Sequence, residues 1–267
     1  MTPLDSDGLP GFDPMVPTVA RIYDYLLGGE HNFAADRAAA AETIRAFPEL
    51  PRVMLTGRKF VRRAVRYMAE QGVRQFLDLG SGIPTVRNVH EIAAGYLPDP
   101  RVVYVDIDPM AVTHARSILR GRENVVCIQG DLRDPQKILA SREVRSVLDL
   151  SEPVGVILSA VLHFIPGELA GQIVDSYMTS VTAGSFLAIV HHTSESSDQD
   201  EAEAREIYAR QVQRLVPRSR AEITAFFRDL TIVEPGVVLP PLWRPDPGDV
   251  PPGELPLYYG YAAVGRK

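Results

Sequence analysis

The sequence predicts an α/β fold in which helices cover both faces of a mostly parallel, doubly wound sheet. From residue 73 onward, short apolar runs alternate with segments of helical periodicity. One apolar run leads straight into Gly80, Ser81 and Gly82, and the next run ends at Asp106. A glycine turn lets backbone approach a ligand closely, and an acid at the next strand end accepts hydrogen bonds from ribose hydroxyls. The pattern therefore predicts a ribonucleoside site.

Seven strands are expected in this part of the chain. Five of them alternate with helices, and two late strands flank a proline-rich loop at 235–256. The predicted strands are 75–79, 102–106, 125–129, 154–158, 185–190, 230–233 and 258–264. The helices between them are predicted at 85–96, 109–119, from 135, at 168–179, at 198–216 and from a capping box at Ser219 and Glu222.

The first 72 residues precede the sheet and form a second part of the molecule. Residues 1–16 are rich in Pro, Gly and Asp and are expected to form a strap. Helices are predicted at 18–27, 34–47 and 52–71, closed by glycine or broken by proline. We therefore divide the chain into a strap and helical lid, 1–72, and an α/β core, 73–267. The lid is expected to offer Tyr25, His31 and Asn32 to an acceptor, although a simple helix cap explains Asn32 equally well.

Asp78 indicates which nucleoside is bound. A dinucleotide fingerprint has a third glycine, but Thr85 occupies that position here and Pro84 lies inside the turn. A dinucleotide also places its pyrophosphate at the following helix N-terminus, where the Asp78 carboxylate would repel it. S-adenosylmethionine carries a sulfonium and an ammonium group and no phosphate. Asp78 can bind that ammonium while Asp106 binds the ribose, so a nicotinamide-dependent oxidoreductase is the less favoured alternative.

Four segments in the expected order resemble the class I S-adenosylmethionine-dependent methyltransferases. The first is the acid and glycine turn at residues 78–82, and the others are 102–106, 125–132 and 153–164. The N-terminal segment 20–37 resembles a bacterial S-adenosyl methyltransferase-like family without a defined substrate. The resemblance implies a Rossmann-like fold and an acid near the adenine amino group. The predicted cofactor-binding residues are Asp78, Gly80, Ser81, Gly82, Asp106, Ile107, Asp131, Leu132 and Ser159.

His163 is the predicted catalytic residue. It follows the fourth strand, and its Leu-His setting resembles the segment that carries the base in small-molecule O-methyltransferases. The alternative is a structural histidine that donates to a backbone carbonyl. His191 and His192 end the fifth strand, and because adjacent strand residues point to opposite faces, only one should face the cleft. We expect His191 to be the residue that faces the acceptor. No ligand spacing supports a metal site.

The charge and composition of the chain restrict the kinds of partner that it can bind. The net charge of −6 and the pI of about 5.6 argue against a broad basic surface for nucleic acid. A local basic segment is interpreted as the solvated face of a helix, or as a patch for an acidic substrate; it contains Arg52, Arg58, Lys59, Arg62, Arg63 and Arg66. No apolar run has membrane-spanning length, and residues 1–5 do not resemble a signal peptide, so we expect a cytoplasmic protein without membrane contact.

The function predicted from the sequence is methyl transfer from S-adenosylmethionine to O or N of a small-molecule acceptor. A non-catalytic S-adenosylmethionine-binding protein is the second alternative, because the sequence encodes cofactor binding more clearly than chemistry. The acceptor and the oligomeric state stay open.

Overall fold

The computed structural model describes residues 13–84, 88–249 and 259–267. The α-helices in these ranges are α1 Val19–Leu26, α2 Ala34–Ala46, α3 Leu50–Glu70, α4 Val89–Ala94, α5 Pro109–Ile118, α6 Pro135–Ala140, α7 Arg142–Val147, α8 Leu169–Ser180, α9 Gln199–Gln211 and α10 Arg220–Ala225. The strands are β1 Gln75–Leu79, β2 Arg101–Asp106, β3 Val125–Gln129, β4 Val154–Ser159, β5 Phe186–His192, β6 Thr231–Ile232 and β7 Gly260–Arg266.

The strands form one sheet in the order β3-β2-β1-β4-β5-β7-β6. Strands β1 to β5 are parallel, and β7 runs antiparallel to both of its neighbours. This confirms the predicted fold class. The chain builds outward from β1 to β3 and then returns to add β4 on the other side of β1. Ligands of open α/β sheets bind at such a reversal, beyond the carboxyl ends of the strands.

The core lies on both faces of the sheet. Apolar residues of α3, α4 and α5 pack against one face. Residues of α6, α7, α8 and α10 pack against the other. The central strands are buried on both sides, which explains why they read as continuous apolar runs rather than as alternating patterns.

The predicted elements differ from the structure mainly at their ends. Helix α3 begins two residues earlier than predicted, because Pro51 lies in its first turn, where no backbone donor is needed. The short helix α7 was not predicted. The predicted starts of the helix at 85 and of the strand at 258 lie outside the described residues. Among the helices in the described ranges, none is both long and apolar enough to cross a membrane.

The prediction that the basic side chains of α3 form a solvated face was wrong for Arg63. This side chain is buried, and its guanidinium donates to the carbonyls of Trp243 and Pro240 at 2.8 and 2.6 Å. It also pairs with Asp249 at 2.7 Å. Arg62 and Arg66 bind Asp246, and Lys59 contacts Asp249. The basic face therefore anchors the proline-rich loop to the core.

Trp243 completes this anchor. Its side chain is fully buried and contacts the rings of Phe60 and Tyr67 edge-on, with centroids 5.3 and 5.9 Å apart. These contacts make Trp243 an anchor of the loop.

Removing the Arg63 guanidinium leaves two carbonyls and a carboxylate without their shared donor in a buried place. We expect Arg63→Ala to lower the free energy of unfolding by about 3 kcal/mol. Arg66→Ala, which removes a part-exposed partner of Asp246, should cost less than about 1 kcal/mol. Urea unfolding of both variants measures the difference. Equal losses would show that Arg63 does not anchor the loop.

Candidate functional site

A cavity of about 560 Å³ opens at the carboxyl ends of the central strands, beneath helix α1. Every residue predicted from the sequence to bind the cofactor lines it. These are Asp78, Gly80, Ser81, Gly82, Asp106, Ile107, Asp131, Leu132 and Ser159. The structure thus brings residues from four strand ends into one place. Their individual roles toward a ligand stay predictions.

The glycine turn after β1 has a conformation that favours glycine. Gly80 and Gly82 have φ values of +69° and +63°. A Cβ atom on Gly80 would lie 2.4 Å from Cγ2 of Val161, so a side chain cannot fit there. A Cβ atom on Gly82 would meet no atom of the described residues within 4 Å. Since Gly82 lines the cavity, a side chain at this position would have room only by entering the space left for a ligand.

Asp106 is held in place by this turn. The Gly82 amide donates to its Oδ2 at 2.7 Å, and the Asp108 amide donates to its Oδ1 at 2.9 Å. A carboxylate oxygen can accept more than one hydrogen bond, so both oxygens can still accept from neighbouring ribose hydroxyls. Burial raises the pKa of Asp106 to about 6, although hydrogen bonds from the Asp108 and Gly82 amides act in the opposite direction.

Asp78 is buried and has no hydrogen bond or ion pair within the described part of the chain. Burial raises its pKa to about 7, while the charge of Arg58 lowers it and the charge of Asp106 raises it. A buried carboxylate without a partner is costly, and a cation bound beside it would offset that cost. The site therefore fits the ammonium group of S-adenosylmethionine and does not fit a pyrophosphate.

The far end of the cavity suits a flat base. Ile107 is 59 % exposed, which is unusual for isoleucine, and its side chain lines the cavity. Asp131 lies nearby, but its carboxylate is already bound by Arg133, with Nε 2.9 Å from Oδ1. This hydrogen bond lowers the pKa of Asp131. An adenine amino group would have to share Asp131 with that arginine.

The residues of the predicted lid that line the cavity precede Tyr25, His31 and Asn32 in the chain. They are residues 16–21, which lead into α1, and Tyr23 within α1. The Thr18 hydroxyl donates to Oδ2 of Asp108 at 2.5 Å, which fastens the lid to the loop after Asp106. Arg21 pairs with Asp36 at 3.0 Å, and this buried pair joins α1 to α2.

The predicted lid residues are Tyr25, His31 and Asn32. Within the described part of the chain, they line neither this cavity nor a smaller pocket that adjoins it. The reason is the buried Asp24 carboxylate, which orders the loop between α1 and α2. Its Oδ2 accepts from the His31 amide at 2.8 Å and from Asn32 Nδ2 at 2.9 Å. A Cβ atom on Gly29 would lie 2.0 Å from Oδ1 of Asp24, so only glycine allows the close approach of these two residues.

A smaller pocket of about 120 Å³ adjoins the main cavity, and we call it the side pocket. Val19, Tyr23, Ala160 and Phe164 line both spaces and so mark the junction. Ala160 has φ +56°, a conformation unusual for alanine that is found mainly where function or packing imposes it. The rest of the side pocket lies between α1, α2, α3 and α9.

His163 lines the side pocket, not the main cavity. Its Nδ1 accepts from the His192 amide at 3.4 Å, so the neutral ring carries its proton on Nε2. Burial, with the nearby charges of His191, His192 and Arg218, holds its pKa well below the usual range. This environment favours a structural role over that of a base, although the backbone partner is an amide rather than the expected carbonyl.

The choice between His191 and His192 was wrong. His191 is fully buried; its Nδ1 donates to the His192 carbonyl at 2.7 Å, and its Nε2 accepts from Arg218 Nη1 at 2.8 Å. Burial lowers the pKa of His191 to about 3. His192, on the opposite face of the strand, lines the side pocket and pairs with Glu201.

Three further residues that line the two spaces were not among the predicted site residues. Tyr23 stands at the junction of the two spaces, and burial raises the pKa of its hydroxyl. Arg58 lines the main cavity from α3. Glu201 belongs to a helix more than 90 residues beyond Asp106 in the chain, so no local motif marks it. Within the described residues, no group of three or more His, Cys, Asp or Glu side chains could hold a metal ion.

Comparison with known proteins agrees with this geometry. A family model described as S-adenosyl methyltransferase matches residues 8–267. A candidate methyltransferase from Thermobifida fusca is 41 % identical, with a TM-score of 0.90 and 97 % of each chain covered. A DUF574 family protein from Streptomyces avermitilis is 37 % identical, with a TM-score of 0.91, over 96 % of this chain and 99 % of that one.

More distant structures share only the fold. The N-methyltransferase NodS from Bradyrhizobium japonicum, solved with S-adenosyl-L-homocysteine, is 15 % identical, with a TM-score of 0.50, over 78 % of this chain and 86 % of that one. No curated protein matches the chain significantly. The match of the family model over nearly the whole chain decides the family: the chain belongs to the S-adenosyl methyltransferases, whose cofactor is S-adenosylmethionine.

Proposed function

We propose that the protein transfers a methyl group from S-adenosylmethionine to an oxygen or nitrogen atom of a small molecule. The observation that carries the proposal is the buried Asp78 carboxylate, which lacks a partner in the described residues and lies beside the glycine turn that holds Asp106. A site for a cation therefore lies next to a site for ribose hydroxyls. This pair of sites matches S-adenosylmethionine, which carries both a positively charged ammonium group and a ribose.

Each group of the cofactor has a counterpart in the cavity. Asp106 would accept from the ribose hydroxyls, and Asp78 would bind the ammonium group. Ile107 and Leu132 would cover the adenine, with Asp131 near its amino group, while residues 80–82 and Ser159 would contact the cofactor through the adjoining backbone. When bound, the cofactor supplies a methyl group already activated by the sulfonium. The chain has to position the acceptor and exclude water.

The partial enclosure of the site supports a small acceptor. Residues 16–18 and helix α1 line one side of the cavity and are fastened to it through Thr18 and Asp108. The side pocket that adjoins the cavity is small and mostly apolar. Four basic side chains of α3 pair with Asp246 and Asp249 instead of presenting an open surface for phosphates; they are Lys59, Arg62, Arg63 and Arg66. These features suit a compact molecule better than a nucleic acid.

Calorimetric titration tests the cofactor assignment. We expect S-adenosylmethionine and S-adenosylhomocysteine to bind with micromolar affinity, and NAD not to bind. Asp106→Asn should weaken both by at least about tenfold, because one acceptor of the ribose hydrogen bonds is lost. Asp131→Asn is the matched control and should weaken them less, because Arg133 already engages that carboxylate.

Two outcomes would contradict the assignment. Binding of NAD alone would favour an oxidoreductase. Equal weakening by the two variants would show that Asp106 has no special role. Binding of both sulfur ligands with no methyl transfer to any acceptor would support the non-catalytic alternative.

Stability at different pH tests the cost of the buried Asp78. Its pKa is about 7 in the folded protein, against 3.8 for a free carboxyl, so the folded state holds a proton that the unfolded chain has lost. The stability of the ligand-free protein should therefore fall as the pH rises from about 4 to about 7 through this group. The Asp78→Asn variant should lack the decrease in stability that Asp78 causes over this pH range. At about pH 8 it should therefore be more stable than the native protein.

Urea unfolding at about pH 5 and about pH 8 measures this effect. Asp131→Asn serves as the control, because the Arg133 hydrogen bond lowers the pKa of Asp131 and so gives the opposite sign. If the free energy of unfolding depends on pH in the same way for the native protein and for Asp78→Asn, the pKa of Asp78 is not raised in the folded protein.

A further inference from the structure

The side pocket has the lining of a site for an aromatic ring. Its volume of about 120 Å³ is somewhat smaller than the roughly 150 Å³ of an apolar cavity that holds benzene, so a substituted ring would extend into the junction with the main cavity. Aromatic side chains from several elements line it; they are Tyr23, Phe47, Phe164, Tyr208 and Tyr259. Aliphatic residues fill most of the remaining wall. A ring bound here would reach the main cavity at the junction formed by Tyr23 and Ala160.

One hydrogen-bonded polar pair, His192 and Glu201, stands in this apolar wall. His192 Nε2 lies 2.8 Å from Oε1 of Glu201, and their side chains are 15 % and 5 % exposed. The carboxylate accepts from Nε2–H, which leaves Nδ1 unprotonated in the neutral ring. Nδ1 has no hydrogen-bond partner among the residues that the structure describes. A carboxylate that orients a histidine and stabilises its protonated form is the arrangement that makes imidazole an effective base.

We propose that the side pocket seats the acceptor as a single-ring phenol, and that His192, oriented by Glu201, accepts the proton of its hydroxyl. This inference rests on the proposed function. It deepens that function by naming the acceptor class and the base. A hydroxyl requires removal of its proton, whereas a free amine does not, so the presence of an oriented base favours a hydroxyl over an amine.

The step balances as a simple displacement. The acceptor oxygen uses an electron pair to form a bond to the methyl carbon, and the carbon–sulfur bond breaks with its electron pair left on sulfur. The phenolic proton passes to Nδ1 of His192, and the positive charge formed there is compensated by Glu201. The products are an aryl methyl ether and S-adenosylhomocysteine, and no oxidant or metal is needed.

Other charged and titratable groups surround His192, and the charged ones carry both signs. Arg205, on the same helix as Glu201, has its Nε 4.0 Å from Glu201 Oε1. The Arg218 amide donates to the His192 carbonyl at 3.2 Å, and the guanidinium of Arg218 binds His191. His163 lies with its ring centroid 6.2 Å away, and Tyr208 and Tyr259 complete the wall. Glu201 is the carboxylate in direct contact with the ring, so the charge balance at His192 depends on it.

The test uses 4-nitrophenol, whose phenolate absorbs visible light, with the protein saturated by S-adenosylhomocysteine. We expect the probe to bind and its apparent pKa to fall relative to free solution, because the phenolate pairs with protonated His192. His192→Gln should bind the neutral probe within about threefold and abolish the pKa shift, and Glu201→Gln should reduce that shift. Ala204→Leu, which fills the pocket from α9, should weaken probe binding by about tenfold.

Binding of S-adenosylhomocysteine to each variant, by calorimetry, shows that the fold and the main cavity are intact. Val53→Phe fills the pocket from α3 and replaces Ala204→Leu if that variant does not fold. Probe binding unaffected by pocket filling would overturn the acceptor site. A pKa shift that persists in His192→Gln, or that is lost only in His163→Gln, would overturn the base. If S-adenosylhomocysteine does not bind the native protein, the proposed function itself fails.

Discussion

The hydrogen bond from the Gly82 amide to the Asp106 carboxylate is the contact on which the site depends. It joins the turn after β1 to the end of β2, and the amides of Gly80 and Ser81 reinforce it by donating to the Val105 carbonyl. Only residues without a side chain fit this path comfortably, because Gly80 packs against Val161 and both glycines have positive φ. The turn thereby creates a space beside Asp78 and Asp106 that no side chain of the turn occupies.

The N-terminal lid is attached to the same strand end. Asp106 orders the Asp108 amide, Asp108 caps α5 through the amides of Met110 and Ala111, and its second oxygen accepts from Thr18. The candidate cofactor site, the following helix and the lid are thus linked through two aspartates. Asp78 is buried without a partner in the described residues, which raises its pKa and costs stability. Active sites commonly carry such a cost, and a bound cation would offset it.

The sequence predicted the sheet, and it predicted residues that line one cavity at the strand ends, because both follow from local patterns. Apolar runs, glycine positions and strand-end acids are adjacent in the chain, and a parallel sheet necessarily brings strand ends together. Contacts between distant segments were not predictable in this way. Arg63 reads as solvated because its partners lie about 180 residues away. The sequence placed Tyr25, His31 and Asn32 at the acceptor because the ordering effect of Asp24 cannot be read from composition. His192 could not be distinguished from His191 without knowing which face of β5 meets α9.

The crystal structure of the protein with S-adenosylhomocysteine tests the central claim most directly. The account predicts ribose hydroxyls within hydrogen-bond distance of both Asp106 oxygens, the ammonium group beside Asp78, and the sulfur directed at the junction of Tyr23 and Ala160. The lid should stay in place beside the ligand, with Thr18 still bound to Asp108. A ligand whose ammonium group lies away from Asp78, or whose sulfur faces away from the side pocket, would contradict the account.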